Sequence, residues 1–202
     1  VLGALSELAA EWSALVRSWG AANRGLKTRL QGEWAPDAND EYFLYQTLLG
    51  AWPLRPEELP GFRERVRAYL VKAVREAKVH TAWIEPDSAY EEAFVSFFES
   101  LMAQEESGPF MRTFLPFCRR VSRLGLINAL SQVLLKLTLP GVPDLYQGTE
   151  LWDLSLVDPD NRRPVDFARR RTVLRDLRER ARSETDTLLE ELLQDPRDGR
   201  VK

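Results

Sequence analysis

The sequence predicts a mainly α-helical fold with a single short strand, and three observations carry that prediction. Apolar residues recur at three- and four-residue steps along most of the chain, the period of a helix with one buried face. Prolines, glycines and aspartates punctuate those runs where helices start and stop. One stretch, residues 142–146 (VPDLY), departs from the pattern and reads as a buried strand.

The first helix is expected over residues 5–19, with Leu5, Leu8, Trp12, Leu15, Val16 and Trp19 on one face. Gly20, Gly25 and Gly32 then loosen the chain. Asp40 is the expected N-cap of a second helix running to Trp52, with Phe43, Leu44, Thr47, Leu48 and Ala51 inward and Pro53 as its stop. A long helix follows over residues 61–78, its stripe formed by Phe62, Val66, Tyr69, Leu70, Ala73 and Ala77. Glu85-Pro86-Asp87 breaks the chain and caps a helix over residues 88–104, which turns Phe94, Phe97, Phe98 and Leu101 inward. The helix expected over residues 110–138 contains Pro116, a kink or the end of a separate first turn. Beyond Arg123 it is apolar on most sides, so deep burial is expected. An arginine-rich helical segment with a break near Ser183 closes the chain. A lone strand leaves its backbone groups unpaired, so residues 142–146 call for a sheet that these elements do not supply. With a first residue that is not Met, this makes the chain an expected piece of something longer.

Composition narrows the function classes. With 44% hydrophobic and 29% charged residues, the chain is expected to be globular rather than disordered. No run reaches the roughly 18 apolar residues of a membrane helix, and a net charge of −3 gives no field to gather nucleic acid or an anionic membrane. The run RRRTVLRDLRERAR is interrupted by Asp176 and Glu179, the pattern of a solvated helix face. Cys118 is the single cysteine, so no internal disulfide or cysteine metal cluster exists, and a reducing, cytoplasmic setting is expected. No cofactor is expected, and no residue is assigned to a metal.

Residues 140–167 (PGVPDLYQGTELWDLSLVDPDNRRPVDF) crowd Asp, Glu, Gln, Asn, Arg, Tyr and Trp into one loop. In parallel α/β folds the loops at the carboxyl ends of strands build the site, and Gln147, Gly148, Thr149 and Glu150 follow the expected strand. Asp158 and Arg162, four residues apart, present a carboxylate and a planar donor fork together, which suits adjacent hydroxyls of a sugar. A salt-bridged surface turn explains the same spacing equally well. Gln147 and Glu150 either line a cleft or support it from behind.

The segment PGVPDLYQGTE resembles the eighth barrel strand and following loop of the α-amylase superfamily, and DPDNRRP is similar to its Asp-Pro-x-x-Arg element. The closer resemblance is to the maltooligosyl trehalose synthase family, on PGVPDLYQGTELWDLSLVDPDNRRPVD, on NDEYFLYQTLLGAWP (residues 39–53) and on KAVREAKVHTAW (residues 72–83). Ala82 departs from the Ser expected in that last block.

The resemblance implies a helical piece of a (β/α)8-barrel enzyme that carries the last barrel strand, near residues 142–146. It implies helical insertion material over residues 1–110, the last barrel helix, strand and sugar loop over 111–168, and a helical segment leading to a β domain over 169–202. It implies an intramolecular transferase (isomerase) of trehalose biosynthesis, acting on maltooligosaccharides. Asp158 and Arg162 match the sugar-contacting pair, while Lys78 and Trp83 fall in a block with a role near the acceptor pocket. The family's His-Asp motif is absent and His80 is the lone histidine, so no carboxylate here is named catalytic and the isolated chain is expected to be inactive. Another glucan transferase or hydrolase of the superfamily, or a helical interaction module without sugar chemistry, are the alternatives. The apolar sides of residues 124–139 and 142–146, left without barrel partners, are expected to favour self-association.

Trp12, Trp19, Trp34 and Trp52 read as packing residues, Trp152 as packing ahead of a sugar platform, and Cys118 as a small buried side chain.

Overall fold

The computed structural model describes residues 1–202, which divide into two compact units. The first comprises Val1–Trp52 and Leu59–Gly125, the second Pro53–Glu58 and Leu126–Lys202.

The first unit is built from α1 (Ala9–Ala22), α2 (Ala38–Ala51), α3 (Leu59–Ala77), α4 (Ser88–Met102) and the first half of α5 (Met111–Thr138). Helix periodicity is borne out by its interior. Trp12 and Trp19 of α1, Leu44 and Leu48 of α2, Phe62, Val66 and Leu70 of α3, and Phe94, Phe97, Phe98 and Leu101 of α4 are all buried. Aromatic rings dominate this core. Trp19 meets Tyr45, Phe110 and Phe114 edge-on at 5.2–5.8 Å, and Phe110 stacks on Phe114 at 4.8 Å. Each such side chain removed from water contributes about 1.5–3 kcal/mol. The polar tips are not wasted: the Trp19 indole N–H donates to Thr113 Oγ1 at 2.8 Å. Asn23 donates to the Tyr45 hydroxyl at 2.9 Å, which donates onward to Glu41 at 2.7 Å.

Three local expectations are corrected. The N-cap of α2 is Asp37, whose carboxylate accepts the Asp40 N–H at 2.8 Å, so Asp40 sits inside the first turn. An N-cap side chain accepts the N–H of the second or third helical residue, and Asp37 stands where it reaches that of Asp40. Next, the glycine-rich stretch after α1 contains a hairpin, β1 (Thr28–Leu30) paired antiparallel with β2 (Glu33–Ala35). Its turn is Gln31-Gly32, with φ of 51° and 95°, the doubly left-handed geometry of a two-residue hairpin loop. Finally, α5 is one helix that includes Pro116, which excludes a separate first turn there.

The second unit holds the end of α5, the loop after it, α6 (Phe167–Ser183) and α7 (Thr185–Gln194). The helical break expected near Ser183 falls at Glu184. Leu188 and Leu192 of α7 are buried, and Arg180 and Arg200 each reach Glu191 at 2.6 Å. Those two guanidiniums hold the Glu191 carboxyl down at about 2. The Trp152 indole N–H donates to the Pro196 carbonyl at 2.5 Å, which favours the packing role. Gly199, at φ 86°, lies so close that a Cβ there would stand 2.7 Å from the Trp152 backbone nitrogen.

Deep burial beyond Arg123 is not observed. Ile127, Leu134, Leu135, Leu137 and Leu139 are exposed, Leu134 to 64%. Nor is residues 142–146 a buried strand: it has no strand pairing, and Val142 is 97% exposed. A strand exists through hydrogen bonds to a neighbour, and the only sheet is the two-stranded hairpin, which residues 142–146 do not join. The mainly helical class stands. Most apolar side chains of residues 127–139 and 142–146 lie open to solvent.

Candidate functional site

In the second unit, residues 153–163 form a loop in which two Asp–Arg pairs have opposite tasks. Asp160 opens a short 3₁₀ turn, Asp160–Arg162, and its side chain is nearly buried. It accepts the Leu156 N–H at 2.6 Å and pairs with Arg163 at 3.0 Å. Arg163 also donates to Ser155 Oγ at 3.0 Å, and Asp153 accepts from the Ser155 N–H at 3.0 Å. This network folds the loop on itself. Asp158 and Arg162 form the second pair, in direct contact and turned outward, with side chains 48% and 74% exposed. An exposed ion pair contributes little to stability, and this one sets part of a carboxylate and a donor fork side by side at the surface.

Before this loop, Gly148 takes φ 93° and a Cβ there would press on Val165 at 3.1 Å. Arg170 of α6 clamps the turn by donating to the Gly148 carbonyl at 2.5 Å and to Glu150 at 2.8 Å. Burial opposes the charge on Glu150, but backbone hydrogen bonds and Arg170 outweigh it and hold the carboxyl below its ordinary range. Glu150 is thus engaged by Arg170, whereas Gln147 is exposed. Asp160, Arg163 and Arg170 carry the loop's shape. The sequence singled out none of them, because an Asp–Arg spacing of three or four does not say which pair faces inward.

Lys78 and Trp83 lie in the first unit, in the segment between α3 and α4. Lys78 closes α3 with φ 58°, the left-handed conformation that ends helices. The loop after it is tied at three points. His80 Nε2 hydrogen-bonds Asp37 at 2.8 Å, and the ring stacks on Tyr90 at 4.2 Å. The buried Thr81 hydroxyl donates to Glu91 at 2.7 Å and accepts the Asp87 N–H at 2.9 Å. Arg75 donates to both Glu91 oxygens at 2.7 and 2.6 Å and lies 5.0 Å from the Trp83 ring centre. Both Trp83 and Lys78 are exposed.

Ligand atoms of Asp37, Asp40 and His80 lie within 4.8 Å of one another, a spacing open to a metal ion. Their hydrogen bonds are already directed inward, however. Asp37 takes the Asp40 N–H and His80, while the Tyr90 hydroxyl donates to Asp40 at 2.5 Å. Burial opposes the charge on Asp37, yet the Asp40 N–H and His80 together keep its carboxyl below the ordinary value; burial raises that of Asp40. The cluster is a clasp between the start of α2 and the loop after α3.

No protein-family profile matches the chain. A Mycobacterium tuberculosis protein named as a maltooligosyl trehalose synthase is 43% identical over 143 residues, covering 71% of this chain and 18% of that protein. A crystal structure of a maltooligosyl trehalose synthase superposes with a TM-score of 0.77 at 32% identity, covering 98% of this chain and 24% of the other. The maltooligosyltrehalose synthase of Arthrobacter ramosus gives 0.69 at 36% identity, covering 87% and 21%. The chain therefore spans less than a quarter of the length of these relatives. Sequence and fold agree, and the chain belongs with the maltooligosyl trehalose synthases, matching one section of those longer proteins.

Proposed function

We propose that this section supplies sugar-holding loops to an enzyme that converts the reducing-end α-1,4 linkage of a maltooligosaccharide into an α,α-1,1 linkage. The observation that carries the reading is the outward Asp158–Arg162 pair on a loop whose shape is set independently by Asp160 and Arg163. A pair so presented grips two neighbouring hydroxyls without having to be ordered on binding. Gln147 adds an exposed amide, and Glu150 with Arg170 holds the base of the turn.

Such chemistry uses one carboxylate as nucleophile and a second carboxyl as acid and then base, through a covalent glycosyl intermediate. In this reading those groups come from other parts of the full-length protein. The released glucose must turn over and attack through its anomeric hydroxyl before water does, which needs a closed pocket. The loop here is open to solvent and the adjoining end of α5 is apolar and uncovered, consistent with closure by the remainder of the protein. A cytoplasmic setting belongs to the same reading, supported only by the single cysteine, Cys118, being free and buried.

The test is product analysis on maltopentaose with the full-length protein, alongside Asp158→Ala and Arg162→Ala. The expected product is non-reducing at the former reducing end, and each variant raises KM about tenfold or more, the loss of a charge-assisted hydrogen bond. Linear hydrolysis products alone, or variants with unchanged KM, contradict the proposal.

A further inference from the structure

We infer that Trp83 is an aromatic platform for a glucose ring of an α-glucan, and that Glu91 positions it through Arg75 and Thr81. The inference deepens the proposed sugar chemistry and rests on it.

The loop over residues 79–85 combines two properties that stability alone does not explain. Its apolar side chains face water: Val79 and Trp83 are largely exposed and Ile84 is 99% exposed. Its frame is nonetheless rigid, because the buried Glu91 carboxylate receives three hydrogen bonds at 2.6–2.7 Å, two from Arg75 and one from Thr81. The Ala82 N–H closes the loop onto the Glu85 carbonyl at 3.2 Å. Exposed apolar groups on a fixed loop are the mark of a binding surface.

Geometry also sets the ligand's chemistry. Arg75 lies over the Trp83 ring with its guanidinium 5.0 Å from the centre, and Trp83 as a whole is 55% exposed, which leaves room for a ligand on the face away from Arg75. A pyranose presents a flat face of C–H bonds that matches such a surface, while its rim of hydroxyls seeks donors. Lys78, exposed at the start of the same loop, offers three. Because Glu91 grips both arms of the Arg75 fork, the guanidinium plane and the ring resting on it keep one orientation.

The experiment uses the full-length enzyme with maltopentaose, reading KM and kcat separately and checking each variant by circular dichroism. Trp83→Ala should raise KM about tenfold with kcat within about twofold, and Trp83→Tyr should restore most of the loss. Glu91→Gln should raise KM about threefold and make the Trp83 fluorescence contribution, taken as the difference from the same protein carrying Trp83→Tyr, more accessible to acrylamide. Where Glu91→Gln loses the fold, Arg75→Lys, which keeps the charge and loses the fork, carries the positioning test with the same expected shift. An unchanged KM in Trp83→Ala beside a raised KM in Arg162→Ala overturns the platform while sparing the proposed function. A raised KM in Trp83→Ala with Glu91→Gln and Arg75→Lys unchanged overturns the positioning role. A wild-type enzyme that neither binds nor converts maltopentaose overturns the proposed function and this inference together.

Discussion

The two units of the chain treat their apolar residues in opposite ways. The first closes its helices over Trp19, Tyr45, Phe94, Phe97, Phe98, Phe110 and Phe114, and each ring is buried. The second leaves Leu134, Leu135, Leu137, Leu139, Val142 and Tyr146 exposed, and holds its loop with Asp153, Asp160, Arg163 and Arg170 instead. One unit closes a core of its own; the other leaves an apolar surface open to solvent. The difference teaches where to expect stability and where to expect function. Packing stabilises the first, while the second spends its polar groups on the shape of a loop.

The largest effect expected from this contrast is a pair of truncations. Phe114→Ala, in the aromatic core, should destabilise the first unit by about 3–5 kcal/mol, whereas Leu134→Ala on the exposed face should cost about 0.5 kcal/mol or less. Urea unfolding of the two variants of this chain measures both, and equal losses would erase the distinction. Gly199→Ala should follow, at about 1–3 kcal/mol in the second unit, because the residue adopts a left-handed backbone and its Cβ would collide with the Trp152 nitrogen. A thermal scan following Trp152 fluorescence detects it; an unchanged midpoint would mean the turn at residue 199 is not fixed.

A smaller effect is electrostatic. Arg75 holds the Glu91 carboxyl below its ordinary value of 4.5, against the opposing effect of burial, and Thr81 helps. An acid whose pKa falls on folding adds stability above its unfolded pKa and loses that contribution as pH drops through the folded value. Wild-type protein should therefore exceed Arg75→Met in stability at about pH 7, and the gap should narrow below about pH 4. Urea midpoints against pH measure the gap, and a gap that widens in acid contradicts the assignment.

The first unit was far more legible in the sequence than the second. Stripes such as Phe62, Val66 and Leu70 mark a buried helix face because a complete local core obeys helix periodicity. The hairpin at Gln31-Gly32 was missed because three-residue strands are too short to show alternation; the signal available was a polar residue before glycine between branched and aromatic neighbours. Residues 142–146 and the end of α5 read as buried because apolar composition reports what a segment needs, not whether its partner is present. In the loop, the Asp158–Arg162 contact was legible from spacing, but the inward role of Asp160 was not, since solvent exposure has no signature in a polar run. Glu91 escaped notice for a related reason: its partners Arg75 and Thr81 lie 16 and 10 residues away.

Hydrogen exchange tests most directly whether the second unit is a surface awaiting its cover. Amides of residues 142–146 and of the exposed end of α5 should exchange rapidly in the isolated chain and become strongly protected in a full-length protein carrying this section, while α2 and α4 stay protected in both. If residues 142–146 exchange as freely in the full-length protein as in the chain alone, nothing covers that surface and the account fails.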